Sequence, residues 1–297
     1  MDTEQLEKFR GACRQEFLDP TNYQACLEII SPATAAREKT LATAVRDNST
    51  DFANLARVAG DVAEDKFFIF SLRYTAGESL DKLRNDLEDV VVAYERYAKY
   101  DRQYRDEPRM PLFDFKHIDD YVRVIALLSL TILFRREDLI PRIHDFVSGS
   151  AFDEQDALYE ELLTRYLPNR RYLDEWYHDL PYRYLLDVTA GESPAERTTD
   201  MQSYLKNWYK NMKGCGWYDS HKGQSPEGGG YFGYWAWEAG AVAYLYELDD
   251  TTFRDHLVYP KDLVDYARSH QTETKSVGLA HGRLRALPSE IVPQTGW

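Results

Sequence analysis

Residues 228–246 constrain the fold of this chain more than any other stretch. They read Gly-Gly-Gly-Tyr-Phe-Gly-Tyr-Trp-Ala-Trp-Glu-Ala-Gly-Ala-Val-Ala-Tyr-Leu-Tyr. A glycine-rich loop opens a helix that is apolar or aromatic almost all the way round. An amphipathic helix buries one stripe, but a helix with no polar face must be covered on most sides. The rest of the chain must therefore supply a shell around it, and its apolar spacing predicts that the shell is helical as well.

Phe52, Leu55, Ala56, Ala59, Val62 and Ala63 recur at helical spacing, and the run continues through Phe67, Phe70 and Tyr74. Gly77 stops that helix as a C-terminal cap, and Ser79 stands where it can cap the next, which carries Leu80, Leu83, Leu87, Val90, Val91, Tyr94 and Tyr97. Asp106 to Pro111 reads as a linker because Pro108 and Pro111 interrupt it. Tyr121 to Phe134 reads as a second buried helix and Asp138 to Val147 as a short one. Further helices are expected from about Asp153 to Tyr166, Arg170 to Val188 and Pro194 to Met212. Ser193-Pro194-Ala195-Glu196 combines a capping box with proline at the first helical position. A long loop, Gly214 to Gly230, precedes the helix around Trp235. A last helix follows Pro260, from Lys261 to Ser269, and the tail after Gln271 reads as loosely structured. Alternating β-branched runs are nearly absent, so the expected class is all-α, a multi-helix bundle.

Thr75-Ala-Gly-Glu-Ser79 recurs as Thr189-Ala-Gly-Glu-Ser193, and the buried helices near Tyr121 and Tyr234 follow at almost equal offsets. The echo reads as two packed, duplicated helical units, residues 1–148 and 149–297. Two similar helix corners sharing one cap chemistry are the alternative.

Acidic residues outnumber basic ones 50 to 36, giving a net charge of −14. A field of that sign repels nucleic acid and anionic membranes. It draws in basic partners, although plain solubility is a second use of the same charge. The 22 tyrosines and 6 tryptophans suit helix packing and half-exposed interfaces. Cys13, Cys26 and Cys215 form no CxxC pair and no zinc spacing, which points to free thiols in a reducing compartment. The longest apolar run, Val124 to Phe134, is too short to span a bilayer. The acidic start Met1-Asp-Thr-Glu-Gln-Leu-Glu7 lacks the core of a signal peptide, so the expected place is the cytoplasm.

No complete catalytic set emerges. His178-Asp179, with His144 and with Asp187 or Asp200, faintly resembles the HD phosphohydrolase pattern, which needs such residues converging on a divalent ion. Glu175 and His178 would share one face of a helix, but a di-iron bundle needs a second such motif. Asp119-Asp120 and Asp249-Asp250 offer paired carboxylates for glycosidase chemistry, yet adjacent acids at helix starts are favoured by the helix dipole alone. Gly228-Gly-Gly230 lacks the lysine of a phosphate-binding loop. No metal and no cofactor are expected. Glu238 is the odd residue: an acid among Trp235, Ala236, Trp237, Ala239 and Ala241 must be hydrogen-bonded, paired or neutral.

Gly233, Tyr234, Trp235, Trp237, Glu238, Ala239 and Ala241, then Asp249-Asp250, Arg254, Tyr259-Pro260, Asp262-Leu263 and Asp265-Tyr266, fall in the order of a known family. Over most of its length, and most strongly from Gly228 to Ser269, the chain resembles the PoNi immunity proteins, which are paired with PoNe-type polymorphic DNase toxins. The resemblance implies a bacterial antitoxin, encoded beside a DNase effector often delivered by type VI secretion, that protects its own cell by binding the toxin and has no activity of its own. A DNase must carry a basic cleft, which an acidic partner fits. The expected toxin contacts are Asp119, Asp120, Asp219, Glu227, Asp249 and Asp250, at the entrances or ends of the two central helices. A helical hydrolase of HD or glycosidase type is the alternative function.

Overall fold

The computed structural model describes residues 3–270, so the expected tail after Gln271 lies outside the described residues. The helix without a polar face, α10 (Trp237–Leu245), is buried at every residue. Its main neighbours are α5 (Ile118–Leu133), itself buried without a break from Val124 to Leu133, and the amphipathic α11 (Lys261–Ser269). Gly240 allows this close approach, because a Cβ there would stand 2.7 Å from the Pro260 ring.

The shell is helical, as the spacing predicts. Among the described residues there are eleven α-helices and no strand. The chain starts with α1 (Thr3–Ala12) and α2 (Pro20–Arg46), neither of which stands out in the apolar pattern. The buried positions of α2 are mostly small or polar: Pro20, Asn22, Ala25, Cys26, Thr34 and Leu41. α3 (Phe52–Thr75) packs extensively on α4 (Leu80–Arg105) and also on α2. Asp51 caps α3 by accepting the Asn54 N–H at 3.2 Å. After α5 come α6 (Ile140–His144), α7 (Ala157–Leu163), α8 (Asp179–Ala190) and α9 (Pro194–Asn211), with α8 and α9 packed as a second hairpin.

Several expected boundaries move, each for a local reason. The helix expected from Arg170 starts only at Asp179. Leu180 precedes Pro181 and is extended (φ −108°, ψ 134°), as the residue before proline prefers. Residues 170–178 are instead tied to the start of α7: Ala157 N donates to Glu175 O at 2.8 Å, and Tyr177 N to Asp156 Oδ2 at 3.0 Å. Glu175 and His178 therefore do not share a helix face. The helix expected from Asp153 begins at Ala157, where Asp156 caps it through Tyr159 N. The one expected from Asp138 becomes a 3-10 turn, Glu137–Leu139, followed by α6. Trp235 lies in the irregular chain before α10 rather than within it.

The two Thr-Ala-Gly-Glu-Ser corners join α3 to α4 and α8 to α9, but their backbones differ. Gly77 has φ +90°, whereas Gly191 has φ −52°. Ser79 makes no side-chain cap bond, while Ser193 Oγ accepts the Glu196 N–H at 3.2 Å and Glu196 returns a carboxylate oxygen to Glu192 N at 2.9 Å. No helix among the described residues is long and apolar enough to cross a membrane.

Candidate partner-binding site

The residues that carry the family pattern build structure. Gly233 has φ +111°, and a Cβ there would overlap Thr75 Oγ1 and Trp235 Nε1, which bond each other at 2.9 Å. The rings of Trp235 and Trp237 meet Tyr74 edge-on at 5.0 and 4.8 Å. Tyr234 is held at both ends: its hydroxyl accepts His221 N at 3.0 Å, and its backbone bonds Gln15. Gln15, only 1% exposed, uses its whole amide: Nε2 donates to the carbonyls of Tyr234 and Leu257, while Oε1 accepts Tyr231 Oη–H at 2.6 Å and Tyr234 N–H at 2.8 Å. This glutamine lies outside any periodic pattern, so the sequence carries no signal for its role.

Glu238 is 4% exposed, and its Oε1 accepts from Tyr204 Oη at 2.5 Å and Trp208 Nε1 at 2.7 Å. Burial raises its pKa, partly offset by these two donors. It links α10 to α9. Asp156, fully buried, does comparable work elsewhere: Oδ1 accepts from Tyr121 Oη and Tyr159 N, joining α5 to α7. It too escapes notice in the sequence.

Asp250 anchors an ion cluster. At 3% exposure it accepts Arg254 at 2.9 Å, Arg268 at 2.9 Å and Tyr259 Oη at 3.1 Å. Arg254 continues to Asp265 at 2.7 Å, and Asp262 pairs with Arg14 at 3.1 Å. Asp250, Arg254, Tyr259, Asp262 and Asp265 thus fasten the 249–262 loop and α11 to one another and to the N-terminal segment. Pro260 packs on Gly240.

The remaining acidic candidates occupy separate places. Asp119 is exposed at the start of α5 and accepts Gly216 N at 2.9 Å. Asp219 lies in the same 214–223 loop with φ +62°, accepting from Tyr209 Oη at 2.8 Å and Lys222 at 2.7 Å, and both bonds hold its carboxyl below the usual range. Glu227 is exposed beside Gly228, which neighbours Cys26 and Ile29 of α2. Asp249 is exposed beyond the end of α10 and accepts Thr251 N at 3.0 Å. Asp120 is half-buried, accepts the Asp114 N–H at 3.0 Å, and has its pKa raised by burial.

The histidines do not converge. His144 Nε2 lies 3.2 Å from the Arg170 guanidinium, and its Nδ1 lies 3.2 Å from Tyr159 Oη. The Nε2 lone pair therefore faces a cation, and burial with that charge lowers the His144 pKa. Arg170 is taken by Glu160 and Asp153. His178 Nε2 donates to Phe115 O at 2.8 Å. Among the described residues no group of three or more His, Cys, Asp or Glu is arranged to hold a metal ion.

The fold and the site define a class: an all-α, strongly acidic protein whose most distinctive residues lock helices together. Residues 154–263 match the model of the PoNe immunity proteins (PoNi), C-terminal. Its fold is similar to the crystal structure of protein PA2201 from Pseudomonas aeruginosa, at a TM-score of 0.69 and 22% identity, covering 90% of this chain and 96% of that one. No curated protein matches the chain.

Proposed function

We propose that this protein is an immunity protein that binds a PoNe-type DNase toxin in the bacterial cytoplasm and neutralises it without enzymatic activity of its own. The observation that carries the reading is the match of residues 154–263 to the PoNe immunity proteins. The charge supports it: a nuclease binds DNA through a basic cleft, and a chain of net charge −14 complements such a cleft while repelling the DNA. Contact with the toxin is assigned to acidic loop and helix-start residues, Asp119, Asp120, Asp219, Glu227 and Asp249. Asp250, buried beneath Arg254 and Arg268, holds the turn that displays Asp249. The hydrolase alternative loses support, because His144 faces Arg170 and His178 faces a backbone carbonyl.

Co-expression with the product of the adjacent gene tests the reading. Cells should survive only when both proteins are made, the two should co-purify, and the complex should cleave no DNA. A nuclease that stays toxic, active and unbound in the presence of this protein would overturn it.

A further inference from the structure

A groove of about 520 Å³ runs between α3, α4 and the chain entering α5. Its floor is made of small α3 residues, Ala56 and Gly60, and its walls include the rings of Tyr97 and Tyr104. The Tyr97 ring lies directly over Gly60, 3.3 Å from where a Cβ would be. Tyr104 is 56% exposed, large for an aromatic side chain. Four carboxylates line this apolar trough, Asp61, Glu64, Asp101 and Asp120, against one guanidinium, Arg57.

Three of the four acids already face an arginine: Asp61 faces Arg57 at 3.2 Å, Glu64 faces Arg123 at 2.6 Å, and Asp101 faces Arg105 at 2.9 Å. Asp120 has no lysine or arginine at ion-pair distance among the described residues, and its contact is the Asp114 N–H. The charges nevertheless converge on one point. Asp101, Asp120 and Glu64 all push up the pKa of the Tyr97 hydroxyl, after burial itself, and Glu64 and Asp114 both push up Asp120. The groove therefore combines aromatic walls with a carboxylate that no lysine or arginine pairs, the mixed surface that suits a long basic side chain: stem on the trough, head at the acid, rings beside the cation.

We infer that this groove receives a lysine or arginine side chain projecting from the DNA-binding surface of the toxin. The inference rests on the toxin-binding reading and deepens it, since it names the surface and the chemistry of the anchor. An arginine seated there meets Asp120 at half-buried depth, where a charge pair counts for more than at the rim.

The test measures binding of the full-length protein to the cognate nuclease for Ala53→Arg and Asp120→Asn, with Asp174→Arg, outside the groove lining, as control. Ala53 is exposed on α3 at the groove, so an arginine there fills the trough and adds a charge like that of the incoming side chain without touching the core. Asp120→Asn keeps the acceptor for Asp114 N. Ala53→Arg and Asp120→Asn should each weaken binding by roughly tenfold or more, with Asp174→Arg within about twofold of the unmodified protein. Unchanged affinity in both groove variants, while the unmodified protein still neutralises the nuclease, would overturn the groove and leave the function standing. No binding by the unmodified protein would overturn both.

Discussion

At the scale of single residues, Glu238 shows how a buried acid is tolerated. Both donors approach one oxygen, and burial raises the pKa above its ordinary 4.5. A carboxyl whose folded pKa lies above its unfolded value binds more protons in the native state, so its stability contribution falls as pH rises above 4.5. Glu238→Gln keeps an acceptor without the charge. Its stability relative to the unmodified protein should therefore improve from pH 4.5 to neutral in urea unfolding, and a pH-independent difference would contradict the burial account. Glu238→Ala strands Tyr204 Oη and Trp208 Nε1 and should cost about 2–4 kcal/mol. Gly233 and Trp235 form a second residue-scale unit with Thr75. Trp235→Ala should lose roughly 3–5 kcal/mol, read as a lower melting temperature, because the ring is packed against Tyr74 and Trp237. A normal melting temperature with abolished toxin binding would instead place Trp235 in the interface.

At the scale of elements, the polar clusters decide which segments stay together. Asp250→Ala leaves Arg254 and Arg268 without their buried partner and should destabilise by about 3–5 kcal/mol, whereas Asp249→Ala, at an exposed position, should leave stability nearly unchanged. Equal effects in chemical denaturation would dissolve the distinction between the two neighbours. His144 adds a pH effect of opposite sign to that of Glu238. Its pKa is lowered from 6.5 by burial and by Arg170, so stability is fully present above 6.5 and is lost as pH falls below it. His144→Gln should flatten that acid limb of the stability profile, and an unchanged limb would show that other groups cause it. These clusters also explain what is legible in the sequence. The helices over 52–75, 80–105 and 194–211 show in their apolar spacing because each turns a stripe of large residues to the core. α2 does not show, since its buried face is small or polar and Pro32 lies inside it. Residues 170–178 carry Leu173, Trp176 and Tyr177 at helix-like intervals, yet Asp156 and Glu160, distant in sequence, hold them out of a helix. Likewise the burial of Trp235 and Glu238 is readable from their neighbours, but their partners Thr75, Tyr204 and Trp208 are not, because tertiary hydrogen bonds leave no local pattern.

At the scale of the whole molecule, the nearly all-apolar α10 and its partner α5 form the axis, and the α3–α4 and α8–α9 hairpins meet α10 through Tyr74, Tyr204 and Trp208. One continuous set of buried residues joins Leu18 to Ala267. The family pattern is spent on this interior, which leaves the acidic exterior to meet a partner. Charge of this kind acts at a distance, so its signature is kinetic: association with a basic nuclease should slow steeply as salt shortens the screening length. The most direct test is a titration of purified cognate nuclease with this protein, following DNA cleavage and association rate at low and at high ionic strength. The account predicts stoichiometric loss of cleavage at both, with association much faster at low salt. Undiminished cleavage in the presence of excess protein would contradict it.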